Sequence, residues 1–377
     1  MSDGAGRTGV SDPTARLVQR MLVERGVVRL ASIALVVLVI FSLASGNFFS
    51  IINFQSMGFQ VAEIGLLSLA IALTMLTGGI DLSIVSIANI AAIVTAQLFM
   101  SAGSGTASGS SSVVMTVGFI AVGVAAGTAC GALNGLLITR LRITPILATL
   151  GTLQLLNGVA IVWTGGRAIY GMPESFLNIG TGFVAGVPAP VVVLLLAAVG
   201  TAVFVNRTGM GLRIKLVGAN PTAARYSGLN NDRVLMRTYL MSAFLSSLAG
   251  ILIAARSASA NADYGASYVL LAIVIVVLGG VNPMGGSGTV TGVVLSAFVL
   301  QMVASGFNMV GFNSFLYQIA QGVILIGVLG LSTITQRYDL RSALRMRSGR
   351  DVDGAPSEQL PAALGPPVPP REREHEQ

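Results

Sequence analysis

Two carboxylates stand inside stretches that are otherwise uncharged. Between Leu30 and Thr139 the only formal charges are Glu63 and Asp81, and between Ser257 and Gln336 the only one is Asp263. Glu63 lies about nine residues into an apolar run, ~14 Å deep at ~1.5 Å per residue. A carboxylate at that depth is costly and points to function. It either hydrogen-bonds a polyol, carries a proton, or is a structural device capped by Asn, Ser or Thr groups. Asp81 follows a Gly-Gly turn and suits capping of the next helix better than holding a ligand. Asn89, Asn134, Gln154 and Asn157 are polar residues in apolar surroundings, suited to a pathway or to interhelical hydrogen bonding.

Other chemistries are closed by composition. The single histidine, His375, sits two residues from the end of the chain, so the body has no His-based metal cluster or Ser-His-Asp triad. The single cysteine, Cys130, allows no disulfide within one chain. The single lysine, Lys215, lies in no G-x-x-x-x-G-K-[ST] loop, so this chain binds no nucleotide through a phosphate loop. Any ATP must be bound by another subunit.

These residues are carried on apolar helices. Of 377 residues 53% are hydrophobic and 10% charged, against about 25% charged in soluble domains, and the mean hydropathy is +0.80. Ten spans are predicted, near 28–46, 54–77, 82–100, 112–139, 145–165, 188–206, 236–256, 266–281, 290–307 and 312–332, making an all-α, polytopic membrane helical bundle. Arginine and lysine set its sidedness. They cluster before span 1, after span 4, between spans 6 and 7 and after span 10, and only Arg167 and Arg256 of the 22 fall on the other side. Ten spans therefore put both termini in the cytoplasm. The net charge of +7 lies in these blocks, which is a membrane pattern and not a nucleic-acid one. The expected organisation is a cytoplasmic segment 1–27, a transmembrane domain 28–335 with a cytoplasmic loop 207–235, and a largely disordered tail 336–377. The 29-residue charged leader and the spans that follow argue against a cleaved signal. Ser101–Ser112 reads as a flexible external linker.

Several spacings bear on mechanism. Leu69-Ala70-Ile71 leads to Gly78-Gly79, and Leu271-Ala272-Ile273 leads to Gly279-Gly280. Gly-interrupted segments repeated in two halves, related by internal pseudo-symmetry, mark transporters, although two ordinary tight turns give the same pattern. Gly123, Gly127, Gly131 and Gly135 recur every four residues and suit close helix packing. In the cytoplasmic loop, Asn220 suits an N-cap, Pro221 the first helical position and Gly228 the stop, giving a helix of about two turns. That helix either docks a soluble partner or lies on anionic lipid. The external stretch Gly165–Pro190, with Arg167, Tyr170, Pro173 and Glu174, either receives a binding protein or is a plain connector.

Together, Thr77-Gly78-Gly79-Ile80-Asp81-Leu82-Ser83, Thr144-Pro145-Ile146-Leu147-Ala148-Thr149-Leu150-Gly151-Thr152, the segment Gly218–Gly228 and Leu278-Gly279-Gly280 resemble the permease subunits of ribose/xylose-type ABC importers. The similarity runs from about residue 30 to 335. Two departures bear on the solute and not on the family: Ile84-Val85 follows Asp81-Leu82-Ser83 without the family's usual glycine, and Val281-Asn282-Pro283-Met284 replaces a small-polar run.

The resemblance implies a non-enzymatic translocation subunit for a monosaccharide such as ribose or xylose, with autoinducer-2, sugar alcohols and nucleosides as related cargoes. It implies a second permease, cytoplasmic ATPases holding ATP and Mg, and an extracytoplasmic solute-binding protein. On this mapping Asn220, Pro221, Ala223, Ala224, Arg225 and Gly228 form the ATPase-coupling helix. Glu63, Gly78, Gly79, Asp81, Asn89, Asn134, Asn157, Gly279 and Gly280 are pathway or gate candidates. The alternatives are an ion-coupled secondary transporter using Glu63 or Asp81, and a membrane enzyme, which the scarcity of acid, base and metal-ligating groups disfavours.

Overall fold

The computed structural model describes residues 13–103, 110–313, 315–324, 326, 327 and 330. The expectations for the first twelve residues, for the middle of the Ser101–Ser112 loop and for the tail lie outside the described residues. The chain divides after Val328, and every element below belongs to the first unit.

The order is α1 (Pro13–Ala44), α2 (Ile51–Leu76), α3 (Ile84–Ser101), α4 (Ser110–Thr139), α5 (Pro145–Thr164), α6 (Glu174–Thr181), a hairpin of β1 (Phe183–Val184) and β2 (Val187–Pro188), α7 (Ala189–Arg207), α8 (Gly209–Ala219), α9 (Pro221–Tyr226), α10 (Asn231–Ser257), α11 (Tyr268–Leu278) and α12 (Val290–Met309). A further apolar helix, α13, covers Phe315–Ile324. Among the described residues eight helices are long and apolar enough to cross a membrane, and α11 and α13 are apolar but shorter. The fold is a polytopic helical bundle, and its spans fall on the predicted segments.

The short α11 has a physical cause. Its 11 residues reach ~16 Å, about half of a ~30 Å hydrocarbon layer. The chain before it is non-helical, which is tolerated at membrane depth only where protein satisfies the backbone. Asn89 of α3 donates to the carbonyls of Ala262 and Tyr264 at 2.6 and 3.0 Å. Ala260 and Ile169 exchange backbone hydrogen bonds at 3.0 and 2.9 Å.

The core is built round α2, whose residues from Val61 to Leu76 are all buried, and α10, which packs on α2, α3 and α4. The α4 glycines sit where these helices meet. A Cβ at Gly123 would overlap Thr95 of α3, and one at Gly127, Gly131 or Gly135 would overlap Ser247, Ala243 or Met236 of α10. Apolar side chains such as Leu43, Leu147, Val162 and Leu196 lie exposed on the outside of the bundle.

The two glycine turns share one geometry. Gly78 N–H donates to Met75 O and Gly79 N–H to Thr74 O, while Gly280 N–H donates to Val277 O and Val281 N–H to Val276 O. Each is the paired ending of a helix closed by a left-handed residue, Gly78 at φ 81° and Gly280 at φ 83°. The structural repeat therefore matches Gly78 with Gly280, Gly79 with Val281 and Thr77 with Gly279, one residue out of register with the Gly-Gly pairs. The left-handed position demands glycine for its backbone angle, whereas Gly79 and Gly279 are needed for close approach, to Tyr239 in one half and to Gly292 and Val293 in the other.

Candidate functional site

The loop between α7 and α10 folds as two helices, not the one expected. α8 stops at Asn220, and the same residue starts α9, its Oδ1 accepting Ala223 N–H at 2.9 Å. Pro221 takes the first helical position. α9 ends at Gly228, φ 81°, where Gly228 N–H donates to Arg225 O and Leu229 N–H to Ala224 O. Ala224 alone anchors the helix inward. Pro221, Ala223 and Arg225 are exposed, and Tyr226 at 90% is the most exposed large hydrophobic side chain among the described residues. Beside α9 lies a polar cleft of about 330 Å³, lined in part by Arg142, Arg225, Gly228 and Asp232. Arg142 grips Asp232 through two hydrogen bonds of 3.0 and 3.1 Å. Lys215 of α8 donates to Asn206 Oδ1 at 3.0 Å, and burial pushes its ammonium group below its ordinary value.

α8 carries this surface into the bundle. Gly218 lies against the Leu76 carbonyl and Gly286 N–H, so closely that any Cβ would overlap the carbonyl. Gly286 N–H itself donates to Leu76 O at 3.0 Å. Gly285 packs on Gly218 and Gly78, and Met284 O stands 3.3 Å from where Gly78 would carry a Cβ. The α8 end, the first glycine turn and the segment 284–286 that follows the second turn thus converge on one junction. Gly279 packs on Gly292 and Val293 of α12, while Gly280 faces open space.

Asp81 lies just beyond the first turn and is fully buried. It does not cap α3 through its first turn, as expected. Its Oδ1 accepts Ser83 N–H at 3.0 Å and Ser83 Oγ–H at 2.6 Å, which closes a tight turn ahead of the helix. Ser242 Oγ of α10 donates to Oδ2 at 3.4 Å. Asn134 of α4 donates to Ser83 Oγ at 2.7 Å, and Thr152 of α5 donates to Asn134 Oδ1 at 2.6 Å. Gly79 makes room for Tyr239, whose hydroxyl lies 2.8 Å from where a Cβ would stand. That hydroxyl is buried without a hydrogen-bond partner.

Glu63 belongs to a different place. It is 1% exposed and held by Arg256 of α10, with Arg256 Nη2 donating to Oε2 at 2.9 Å and Nε to Oε1. Asn, Ser or Thr groups do not cap it. Arg256 borders an open cavity of about 270 Å³ shared with Ser56, Phe59, Gln60, Thr181 and Phe183. Asn53, Ser56, Gln60 and Glu63 form a single stripe on α2. Across from it, Ser305 Oγ donates to Asn53 Oδ1 at 2.6 Å and Gln301 to Gln60 at 3.3 Å. Asn157 on α5 joins neither cluster, and its buried Oδ1 lacks a partner. Sequence reasoning missed Arg256, Ser83, Thr152, Tyr226 and Met284. The signals were an arginine opposite the positive-inside trend, an aromatic in a polar loop, and the places of Ser83, Thr152 and Met284 within or beside the motifs that carry the resemblance.

A family model described as "Branched-chain amino acid transport system / permease component" matches residues 53–329. The chain is 34% identical over 297 residues to the ribose import permease protein RbsC of Bacillus subtilis, covering 78% of this chain and 89% of that one. It is 32% identical to the protein of the same name in Escherichia coli K12, covering 78% and 90%. It is also 32% identical to the autoinducer 2 import system permease protein LsrD of Yersinia pseudotuberculosis serotype O:3, covering 76% and 85%. No solved structure matches.

Proposed function

The chain belongs to the permease-component family of branched-chain amino acid transport systems, and from that premise we propose that it forms the pathway of an ATP-driven importer for a small polyhydroxylated solute. A monosaccharide such as ribose or xylose is the cargo this reading favours, since ribose and autoinducer-2 permeases are among its relatives. A permease component is a transport subunit, not an enzyme; ATP and Mg belong to partner ATPases. The chain is then a multi-pass cell-membrane protein with both termini and the α8–α9 loop in the cytoplasm. The solute-binding protein docks on the opposite side, where α6 and the hairpin lie. Uphill accumulation of about a thousandfold costs ~4 kcal/mol, and this energy arrives through α9.

One observation carries the reading: an exposed, double-capped helix presents Arg225 and Tyr226 outward while the α8 end just before it, at Gly218 and Ala219, abuts Leu76 at the first glycine turn and Gly285 and Gly286 in the loop that follows the second. The test is reconstitution with the ATPase and binding protein. Uptake is expected to require ATP. Arg225→Glu is expected to lower ATP-driven uptake at least tenfold with the permease still folded. Uptake by the chain alone, driven by an ion gradient, would overturn the proposal. Glu63 gives the ion-coupled alternative no support, because its carboxylate is already paired with Arg256.

A second copy is the proposed partner within the membrane. Leu147, Gly151, Gln154, Gly158 and Val162 lie on one exposed side of α5, and nothing approaches within 4 Å of either glycine's missing Cβ. A mid-span amide is poorly placed against lipid tails, so this side is covered by its counterpart across a two-fold axis. Gly158→Cys in a Cys130→Ala background is expected to yield an oxidant-dependent covalent dimer. Absence of that dimer in intact membranes would refute this pairing.

A further inference from the structure

We infer that Asn134 and Thr152 are positioning residues that transmit movement of the Gly78–Ser83 turn to α5. This rests on the proposed ATP-driven mechanism. At one end of the turn, α8 bears on it through Gly218, Leu76 and Gly285. At the other end a directed chain of hydrogen bonds runs to α5. Thr152 donates to Asn134 Oδ1 at 2.6 Å, Asn134 donates to Ser83 Oγ at 2.7 Å, and Ser83 donates to Asp81 Oδ1 at 2.6 Å. A second link runs by a shorter path: Thr149 Oγ1 shares its hydrogen between the Pro145 carbonyl of its own helix at 2.9 Å and the Ile80 carbonyl at 3.1 Å.

Four features give this chain mechanical weight. Ser83 and Asn134 have no exposure and Thr152 has 2%, so a broken link cannot be replaced by bulk water. The amide of Asn134 is used at both ends, accepting from Thr152 and donating to Ser83, which leaves the Ser83 hydroxyl hydrogen for Asp81. α5 packs chiefly on α3 and α4, and its ties to the turn are these bonds together with the close packing of Pro145 on Gly79. Finally, Thr152 and Gln154 are two residues apart, about 200° around the helix. A pull on the Thr152 side therefore tilts the side carrying Gln154, where the second copy is proposed to pack.

The experiment uses the whole transporter, permease with ATPase and loaded binding protein, in proteoliposomes, and reads solute imported per ATP hydrolysed. Thr152→Val keeps shape and removes the donor. It is expected to leave stimulated ATP hydrolysis within about twofold of the parent while lowering the import ratio at least tenfold, and Thr152→Ser is expected to restore the ratio. An unchanged ratio, or a loss of hydrolysis and import in equal proportion, overturns the inference. Should Thr152→Val fail to assemble, Thr149→Val, which breaks the link to Ile80, is read by the same ratio against the same two outcomes. Failure of the parent complex to import with ATP would count against the proposed function and is seen separately.

Discussion

Gly218→Ala is expected to abolish ATP-driven uptake and to destabilise the permease by about 2–3 kcal/mol, the upper range for overpacking a filled interior. The added methyl group would overlap the carbonyl oxygen of Leu76 and stand 2.6 Å from Gly286 N. Both neighbours are backbone, so neither can swing aside as a side chain would. Relief requires α8 to back away, which strains the Gly286-to-Leu76 hydrogen bond and separates the loop helices from the first glycine turn and from Gly285 and Gly286. Gly228→Ala is the contrast. Gly228 has φ 81° but nothing within 4 Å of its missing Cβ, so the cost is local strain of about 1 kcal/mol. Thermal unfolding of the purified permease, with uptake by the reconstituted transporter, checks both. A Gly218→Ala protein with parental melting and parental uptake would show that the junction bears no load.

Arg256→Ala is expected to cost about 3 kcal/mol, the lower end of the range for removing one partner of a buried pair, because the Arg256 side chain is itself 32% exposed. The penalty comes from what remains: Glu63 at 1% exposure would be left as a desolvated carboxylate with no cation. Replacing both residues removes that penalty. The Glu63→Leu, Arg256→Met double variant is expected to recover most of the lost stability, since apolar pairs of similar volume often replace buried ion pairs without loss. Melting temperatures of the parent, Glu63→Leu, Arg256→Met and the double variant form the cycle that measures this. A double variant no more stable than Arg256→Ala would place the role of Arg256 in packing and not in neutralising Glu63.

The contrast between these residues shows how far the chain's own order of residues reaches. Span positions were legible because the bilayer demands long apolar stretches, and most predicted ends fall within a few residues of the helices. The caps of α9 were legible because Asn220 and Gly228 act on groups within five residues of themselves. The family was legible because its motifs occur in order along the chain.

What sequence determined, then, is whatever is decided over one or two helical turns or by the solvent as a whole: the spans, the capped loop helix and the glycine endings. Tertiary structure alone decided which polar group satisfies which. Glu63 finds its arginine 193 residues away, and Asn134 reaches back 51 residues to Ser83. It also decided that the α8 end meets Leu76 at the first glycine turn and Gly285 and Gly286 beyond the second. The reason is that a buried polar group must be paired, but the identity of its partner follows from how helices cross, and several candidate residues met that need equally well until packing chose among them.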